Sequence, residues 1–206
     1  MRREPITHGG IFTDEGFARE YARKHWKMAA GFGETYGKRL KEEGFRGGRI
    51  LDMGCGSGAT NLSLARQFPE GELVGIDLSE PLLTMAREVA RKEGAAERVR
   101  FERADVQELP FEEDSFDVVL NLNMVHLVSD AGAMLAEAER VLRPEGSLFL
   151  SDLKRSWLGW FEREIRAALS AAEARELIKG SPLRGGEFSN GLIWWRYESL
   201  PTGGLG

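Results

Sequence analysis

Between residues 49 and 153, short apolar runs alternate with segments whose apolar residues recur every three or four positions. "RILDM" reads as a short buried strand, and Thr60 to Phe68 as a helix stopped before Pro69. "ELVGID" is a second strand. Ser79 can cap the helix after it, with Glu80 and Pro81 in the first turn and Gly94 at the end. "RVRFERAD" and "FDVVLNLN" are a third and a fourth strand. Ser129 or Asp130 caps a helix through Leu142, whose Met134, Ala138, Val141 and Leu142 share one face. "RPEG" reads as a turn, and "SLFLSD" as a fifth strand.

The flanks follow other patterns. From about Asp14 to Glu43 the chain is helical, with Phe17, Tyr21, Met28 and Phe32 at three-, four- and seven-residue intervals. Gly31, Gly33 and Gly37 are expected to break that helix in two. A helix-rich stretch runs from about Trp157 to Ile178, and "EFSN" and "IWWRYES" then pair as a hairpin. Five βα units and a hairpin predict an α/β fold: a doubly wound, Rossmann-like, seven-stranded sheet, parallel but for one antiparallel strand, with an N-terminal helical cap. Ligands of such sheets sit at the carboxyl ends of the strands. Those ends read "DMGCGSG", "DLS", "ADV", "NLNM" and "SDLKRS", and there the polar residues collect.

Composition narrows the class. With 206 residues, 42% hydrophobic and 30% charged, the chain suits one folded domain. Residues 1–46 would form the cap, 47–152 the ligand-binding core, and 153–206 lid helices and hairpin. A net charge of -5 argues against a nucleic-acid partner. The single cysteine, Cys55, excludes an intrachain disulfide and a Cys-based zinc site, and reads as a small filling residue rather than a nucleophile. No apolar leader or membrane-length run is present, so a cytoplasmic protein is expected.

The candidate chemistry begins with "RILDMGCGSGATNLSLA". Gly54, Gly56 and Ala59 satisfy the dinucleotide pattern G-x-G-x-x-A, while Gly54, Gly56 and Gly58 satisfy a tighter G-x-G-x-G. Either brings a ligand close to backbone amides at a helix N-terminus. Asp52, two residues before the first glycine, would repel a pyrophosphate and suits an ammonium group, unless it serves only to bind loop amides. Asp77, at the end of the second strand, can accept hydrogen bonds from both hydroxyls of a ribose, in a nicotinamide or an adenosyl ligand alike.

Further along, "RADVQELPFEEDSFDVV" places Asp105 at the end of the third strand, before "LPF" and the fourth strand. Together with "ILDMGCGSG", "VGIDLSEPLLTMAR" and "AERVLRPEGSLFLSD", in that order, it resembles the class I S-adenosylmethionine-dependent methyltransferases, in particular the small-molecule group that includes ubiquinone and menaquinone biosynthesis enzymes. The resemblance covers Arg49 to about Asp152. It implies S-adenosyl-L-methionine as cofactor, with Asp52 and the Gly54–Gly58 loop on the methionine part, Cys55 and Gly56 contributing backbone. It further implies Asp77 on the ribose and Leu78 against the adenine. Asp105 would accept from the adenine amino group, the Val106 amide would face a ring nitrogen, and the Asn121 carbonyl would lie near the methionine amine or sulfonium. A nicotinamide oxidoreductase and a non-catalytic cofactor-binding domain are the competing readings.

The acceptor side is less patterned. His126, just past the fourth strand, is the best-placed base, although a packing histidine is the commoner case. His25 and Tyr21 lie in the cap, and His8 near the N-terminus. Trp26, Trp157 and Trp160 could line a pocket or glue helices to the sheet, whereas Trp194 and Trp195 point to opposite faces of the last strand. Lys154 and Arg155 could hold an anionic acceptor or be solvated. "NLNM" lacks the prolines of amino-methylating nucleic-acid enzymes, and one cysteine is too few for arsenite methylation. A small-molecule acceptor reacting through O, N or C is expected, with no metal and a monomer or homodimer.

Overall fold

The computed structural model describes residues 13–156 and 163–199. Helix α1 spans Glu15–Glu42 and is followed by β1 (Arg49–Met53), α2 (Ala59–Gln67), β2 (Glu72–Asp77), α3 (Glu80–Lys92) and β3 (Val99–Arg103). Then come β4 (Phe116–Leu122), a 3-10 turn (Val125–Leu127), α4 (Ala131–Val141) and β5 (Leu142–Leu153). Short helices α5 (Arg163–Ala167) and α6 (Ala171–Lys179) precede β6 (Glu187–Asn190) and β7 (Trp194–Ser199). The helix starts are those the sequence marks. Asp14, Ser79 and Asp130 each accept an amide hydrogen bond at an N-cap, and Ser170 with Glu173 forms a capping box on α6.

The strands form one seven-stranded sheet in the order β3-β2-β1-β4-β5-β7-β6. β1 to β5 pair in parallel, while β7 runs antiparallel to both β5 and β6. The order reverses between β1 and β4, which opens a crevice at their carboxyl ends. Alternation along each strand divides the core. Leu51, Met53, Val119, Leu150 and Trp195 face α4 and α6. Ile50, Val118, Leu120 and Phe149 face the layer that holds α2 and α3, against which α1 packs.

Two expectations about local structure fail for packing reasons. α1 is a single 28-residue helix, not two. Its glycines allow a close approach to α2: a Cβ at Gly33 would lie 2.5 Å from Ser63 Cβ. Instead the Gly33 carbonyl accepts from Gln67 Nε2 at 2.9 Å, and the Ala29 carbonyl from Thr60 Oγ1 at 3.0 Å. About 1 kcal/mol of helix propensity is lost per interior glycine, and this interhelical contact offsets it. The second is "RPEG", which lies inside β5. Phe116 pairs with Leu142 and Val118 with Ser147, so the four intervening residues bulge out of register within a continuous strand.

Candidate active site

β1 ends in the loop Gly54–Gly58, in which all three glycines have positive φ. The amides of Gly54 and Cys55 both donate to the Ile76 carbonyl, at 2.8 and 2.9 Å, which ties the loop to β2. The three glycines are not equivalent. A Cβ at Gly54 would meet Met124 Sδ at 2.7 Å, and one at Gly58 would meet Phe101 Cζ at 2.5 Å, whereas one at Gly56 would meet open space. Gly54 and Gly58 therefore serve packing, and Gly56 faces the room left for a ligand. Cys55 is buried with its side chain against Gly75, and burial pushes its thiol well up, so it is a filler.

Asp77 bridges the loop and α3: its Oδ2 accepts the Gly56 amide and its Oδ1 the Ser79 amide, both at 2.9 Å. Burial raises its carboxyl above the ordinary range, opposed by those amides. Asp52 is 2% exposed, and its Oδ2 has no hydrogen-bond partner. Burial, and then the charge of Asp77, pushes its carboxyl up to about 7. Two buried acids side by side, one with an orphaned oxygen, form a site that a cation stabilises.

Both acids line a cavity of about 760 Å³, open mouth included. Its roof is α1, which contributes Tyr21, His25, Met28 and Phe32, and the residues after β4, Asn123 and Met124, close one side. The cap thus lies across the carboxyl ends of the strands. Tyr21 packs on His25 with ring centroids 4.1 Å apart and the rings tilted by 37°, and His25 Nδ1 lies 2.9 Å from the Tyr21 carbonyl. Burial, Glu164, Asp77 and Asp152 in that order push the Tyr21 phenol above its usual range.

Gly58, Leu78, Asp105, Val106 and Asn121 stand outside the lining of this cavity. Leu78 is half-buried after β2, with its carbonyl accepting from Arg103 Nε at 3.2 Å. Asp105 Oδ1 accepts from the Gln107 amide at 2.9 Å and from Gln107 Nε2 at 3.0 Å. Val106 is buried in the core. Asn121 turns toward α4, with Nδ2 3.3 Å from Met134 Sδ and 3.4 Å from the Met53 carbonyl.

Asn123 is a polar lining residue that sequence reasoning missed. Its φ is +60°, its amide donates to the Ser151 carbonyl at 2.6 Å, and its side-chain oxygen has no partner. An asparagine directly after an apolar strand was the available signal, since asparagine tolerates the left-handed region.

His126 is buried outside the lining of the cavity, and its Nδ1 lies 2.7 Å from Asp152 Oδ1. The remaining candidates are engaged elsewhere. Lys154 Nζ donates to the Gly191 carbonyl, and Arg155 to both Glu173 oxygens at 2.7 and 2.6 Å. Neither cation is solvated in the way expected, nor held toward a ligand. Trp194 meets Phe32 edge-on at 5.3 Å, while Trp195 stacks on Phe188 across the sheet, as opposite faces require. Trp26 packs against the core. His8, Trp157 and Trp160 lie outside the described residues. Among the described residues no group of three His, Cys, Asp or Glu could hold a metal, and no helix is long and apolar enough to cross a membrane.

S-adenosylmethionine fits this donor set. Its ammonium matches the orphaned Asp52 oxygen, and the space beside Gly56 admits a ligand against the backbone. The family described as "Methyltransferase domain" matches residues 50–146. The chain is 41% identical over 106 residues to a 27-O-demethylrifamycin SV methyltransferase of Amycolatopsis mediterranei, covering 52% of this chain and 39% of that protein. It spans between 37% and 57% of the length of the curated relatives it matches. Its fold is similar to that of a SAM-dependent methyltransferase from Aquifex aeolicus, at a TM-score of 0.66 and 24% identity over 78% of this chain and 86% of that one. It is also similar to the [4+2]-cyclase SpnF, at a TM-score of 0.63 and 26% identity over 76% of this chain and 58% of that one.

Proposed function

We propose that the chain, whose residues 50–146 match the methyltransferase-domain family, is a class I S-adenosylmethionine-dependent methyltransferase that transfers a methyl group to an O, N or C nucleophile of a small molecule. One observation carries the reading: the orphaned, buried carboxylate of Asp52 beside Asp77 in an α1-covered cavity. A dinucleotide would set its pyrophosphate against these acids, whereas the adenosyl cofactor brings an ammonium and a ribose.

In this proposal Asp52 holds the ammonium and the Gly54–Gly58 loop, with Cys55 and Gly56 contributing backbone, approaches the carboxylate. Asp77, whose two oxygens already accept amides, takes the ribose hydroxyls on its remaining lone pairs. Leu78 and the Asp105–Val106 segment lie on the β2 and β3 side, toward which an adenine would extend. For Asp105 to take the adenine amino group, Gln107 has to share or release the carboxylate. Asn121 would act through its backbone, because its side chain turns toward α4. The cofactor supplies an electrophilic methyl, so the protein's part is alignment and exclusion of water, and α1 forms the roof that excludes it.

Calorimetric titration of the full chain with S-adenosylhomocysteine and with NAD tests this reading. Binding of the first and not the second is expected, and the reverse would overturn it. The likeness to a cyclase keeps a second reading in view, because one fold hosts unlike reactions. Cofactor binding with no labelled methyl passed to any component of a metabolite extract would favour it.

A further inference from the structure

Helix α1 crosses the cavity with two stripes of unlike chemistry. Ala18, Ala22, Ala29 and Gly33, spaced as one helical face, lie against α3 and α2. Ala18 and Ala22 cluster with Leu82, the Ala29 carbonyl accepts from Thr60, and Gly33 meets Ser63. The neighbouring stripe, Tyr21, His25, Met28 and Phe32, lines the cavity. At one end Phe32 meets Trp194, which pairs with Leu153 at the close of β5. At the other end the Tyr21 phenol lies in the fields of Glu164, Asp77 and Asp152. His25 and Met28, between them, look onto the β4–β5 side, where Leu122, Met124 and Leu127 form an apolar wall.

The His25 ring has a fixed polarity. Its Nδ1 lies 2.9 Å from the Tyr21 carbonyl, one turn back on the same helix. A carbonyl only accepts, so Nδ1 carries the proton and the lone pair of the neutral ring sits on Nε2. Nδ1 is turned back onto α1, the ring is half-buried, and no hydrogen bond of the described residues reaches Nε2. The other lining groups leave little choice of a base. Asp52 and Asp77 are assigned to the cofactor, burial and the nearby acids keep the Tyr21 phenol protonated, and the Cys55 thiol is buried and pushed up. His126 is buried outside the lining.

The surroundings also narrow the acceptor. Lys154 and Arg155 are tied to Gly191 and Glu173, so neither is held toward an anion, and the acids of the cavity would repel one. An uncharged molecule suits the apolar wall, and a hydroxyl is the nucleophile that gains most from losing its proton as it attacks.

We propose that His25 is the general base of methyl transfer, acting from the roof, and that the acceptor is an uncharged, largely apolar molecule presenting a hydroxyl to its Nε2. This rests on the methyltransferase reading. The acceptor's O–H bond breaks as its proton passes to Nε2. An electron pair of that oxygen forms the new O–CH3 bond, and the pair of the breaking S–CH3 bond stays on sulfur, leaving a thioether. The Tyr21 carbonyl keeps its hydrogen bond to Nδ1–H, which becomes charge-assisted in the imidazolium. The half-buried ring then returns the proton to water.

Spectra of the full chain with 15N-labelled histidine, assigned by means of His25→Gln, should place the neutral His25 proton on Nδ1. Labelled methyl transfer is then measured at pH 8 with phenol, benzyl alcohol, 4-nitrophenol, benzylamine and benzoate. In His25→Gln, transfer to phenol and benzyl alcohol should fall 10²- to 10⁴-fold, and transfer to 4-nitrophenol, already ionised, less than about threefold. S-adenosylhomocysteine affinity should stay within about twofold, and added imidazole should restore transfer to phenol in His25→Ala. A residue that only packs the roof would lower all acceptors alike and would not be rescued. A His25 proton on Nε2, equal losses for phenol and 4-nitrophenol, or transfer to no hydroxyl probe would each overturn the proposal. So would loss of S-adenosylhomocysteine binding in His25→Gln, which would place the residue on the cofactor. A wild-type protein that binds no S-adenosylhomocysteine fails earlier, at the methyltransferase reading.

Discussion

On the β1–β2 side of the switch point, the cavity is built from residues that lie close in sequence. Asp52, the glycine loop and Asp77 fall within 26 positions, are joined by backbone hydrogen bonds and sit on strands paired in register. On the β4–β5 side, Asn123 and His126 after β4, Asp152 from β5, Tyr21 from α1 and Glu164 from α5 come from four separate segments, and only folding brings them together. The first side carries the motif residues proposed to hold the cofactor, so its chemistry is written locally. The second side is assembled from long-range contacts.

Substitutions within the loop should sharpen that contrast most. Gly58→Ala forces a Cβ against Phe101 at a positive φ and should cost roughly 2–5 kcal/mol of stability, from left-handed strain and overpacking together. Gly56→Ala carries only the strain, about 1–2 kcal/mol, yet should weaken S-adenosylhomocysteine binding more than Gly58→Ala does. Thermal melts and calorimetry on the two variants separate a packing glycine from a ligand-facing one. Equal effects on both readouts would remove the distinction.

Asp77→Ala should lower S-adenosylhomocysteine affinity by about 3 kcal/mol, since charge-assisted hydrogen bonds contribute roughly 1.5–3 kcal/mol each and are not additive. Unchanged affinity would remove Asp77 from the site. Asp52→Asn is predicted to act in opposite directions on its two readouts. The folded carboxyl titrates near 7, above its ordinary 3.8. Its contribution to stability is therefore full below about pH 4 and is lost as pH rises toward 7. At pH 8 the amide should stabilise the ligand-free protein, by something on the order of 2–4 kcal/mol, while weakening cofactor binding. Urea denaturation of the two proteins at pH 4 and pH 8 measures this; a stability difference that does not grow with pH would refute it.

The same group sets a pH dependence for the ligand. An ammonium prefers ionised Asp52, so S-adenosylhomocysteine affinity should fall as pH drops below about 7. The loss approaches about 1.4 kcal/mol per pH unit, and Asp52→Asn should flatten the slope. Smallest of all, Lys154→Ala should change cofactor affinity by less than about 0.5 kcal/mol, as surface contacts away from a site do, because its ammonium is committed to Gly191.

Much of the first side was legible before folding. Asp52 and Asp77 announce themselves by ending apolar runs, and the glycine spacing marks a backbone that a ligand approaches. Helix caps at Ser79 and Asp130 are local hydrogen bonds and were equally readable. What failed depended on distant neighbours. Gly33 reads as a break until Ser63 is seen beneath it. "RPEG" reads as a turn until β4 holds both its ends. Lys154 and Arg155 read as available until Gly191 and Glu173, far along the chain, take them up.

The sequence by itself determined the alternation of strands and helices, and hence a doubly wound sheet with acids and glycines at its carboxyl edge, because side-chain periodicity and strand-end polarity are local properties. The tertiary structure alone decided that α1 runs unbroken across that edge, that Asn123 rather than the side chain of Asn121 faces the cavity, and that His126 meets Asp152. Those outcomes depend on which face of a strand or helix meets which partner, and burial and pairing between segments far apart in the chain fix that choice.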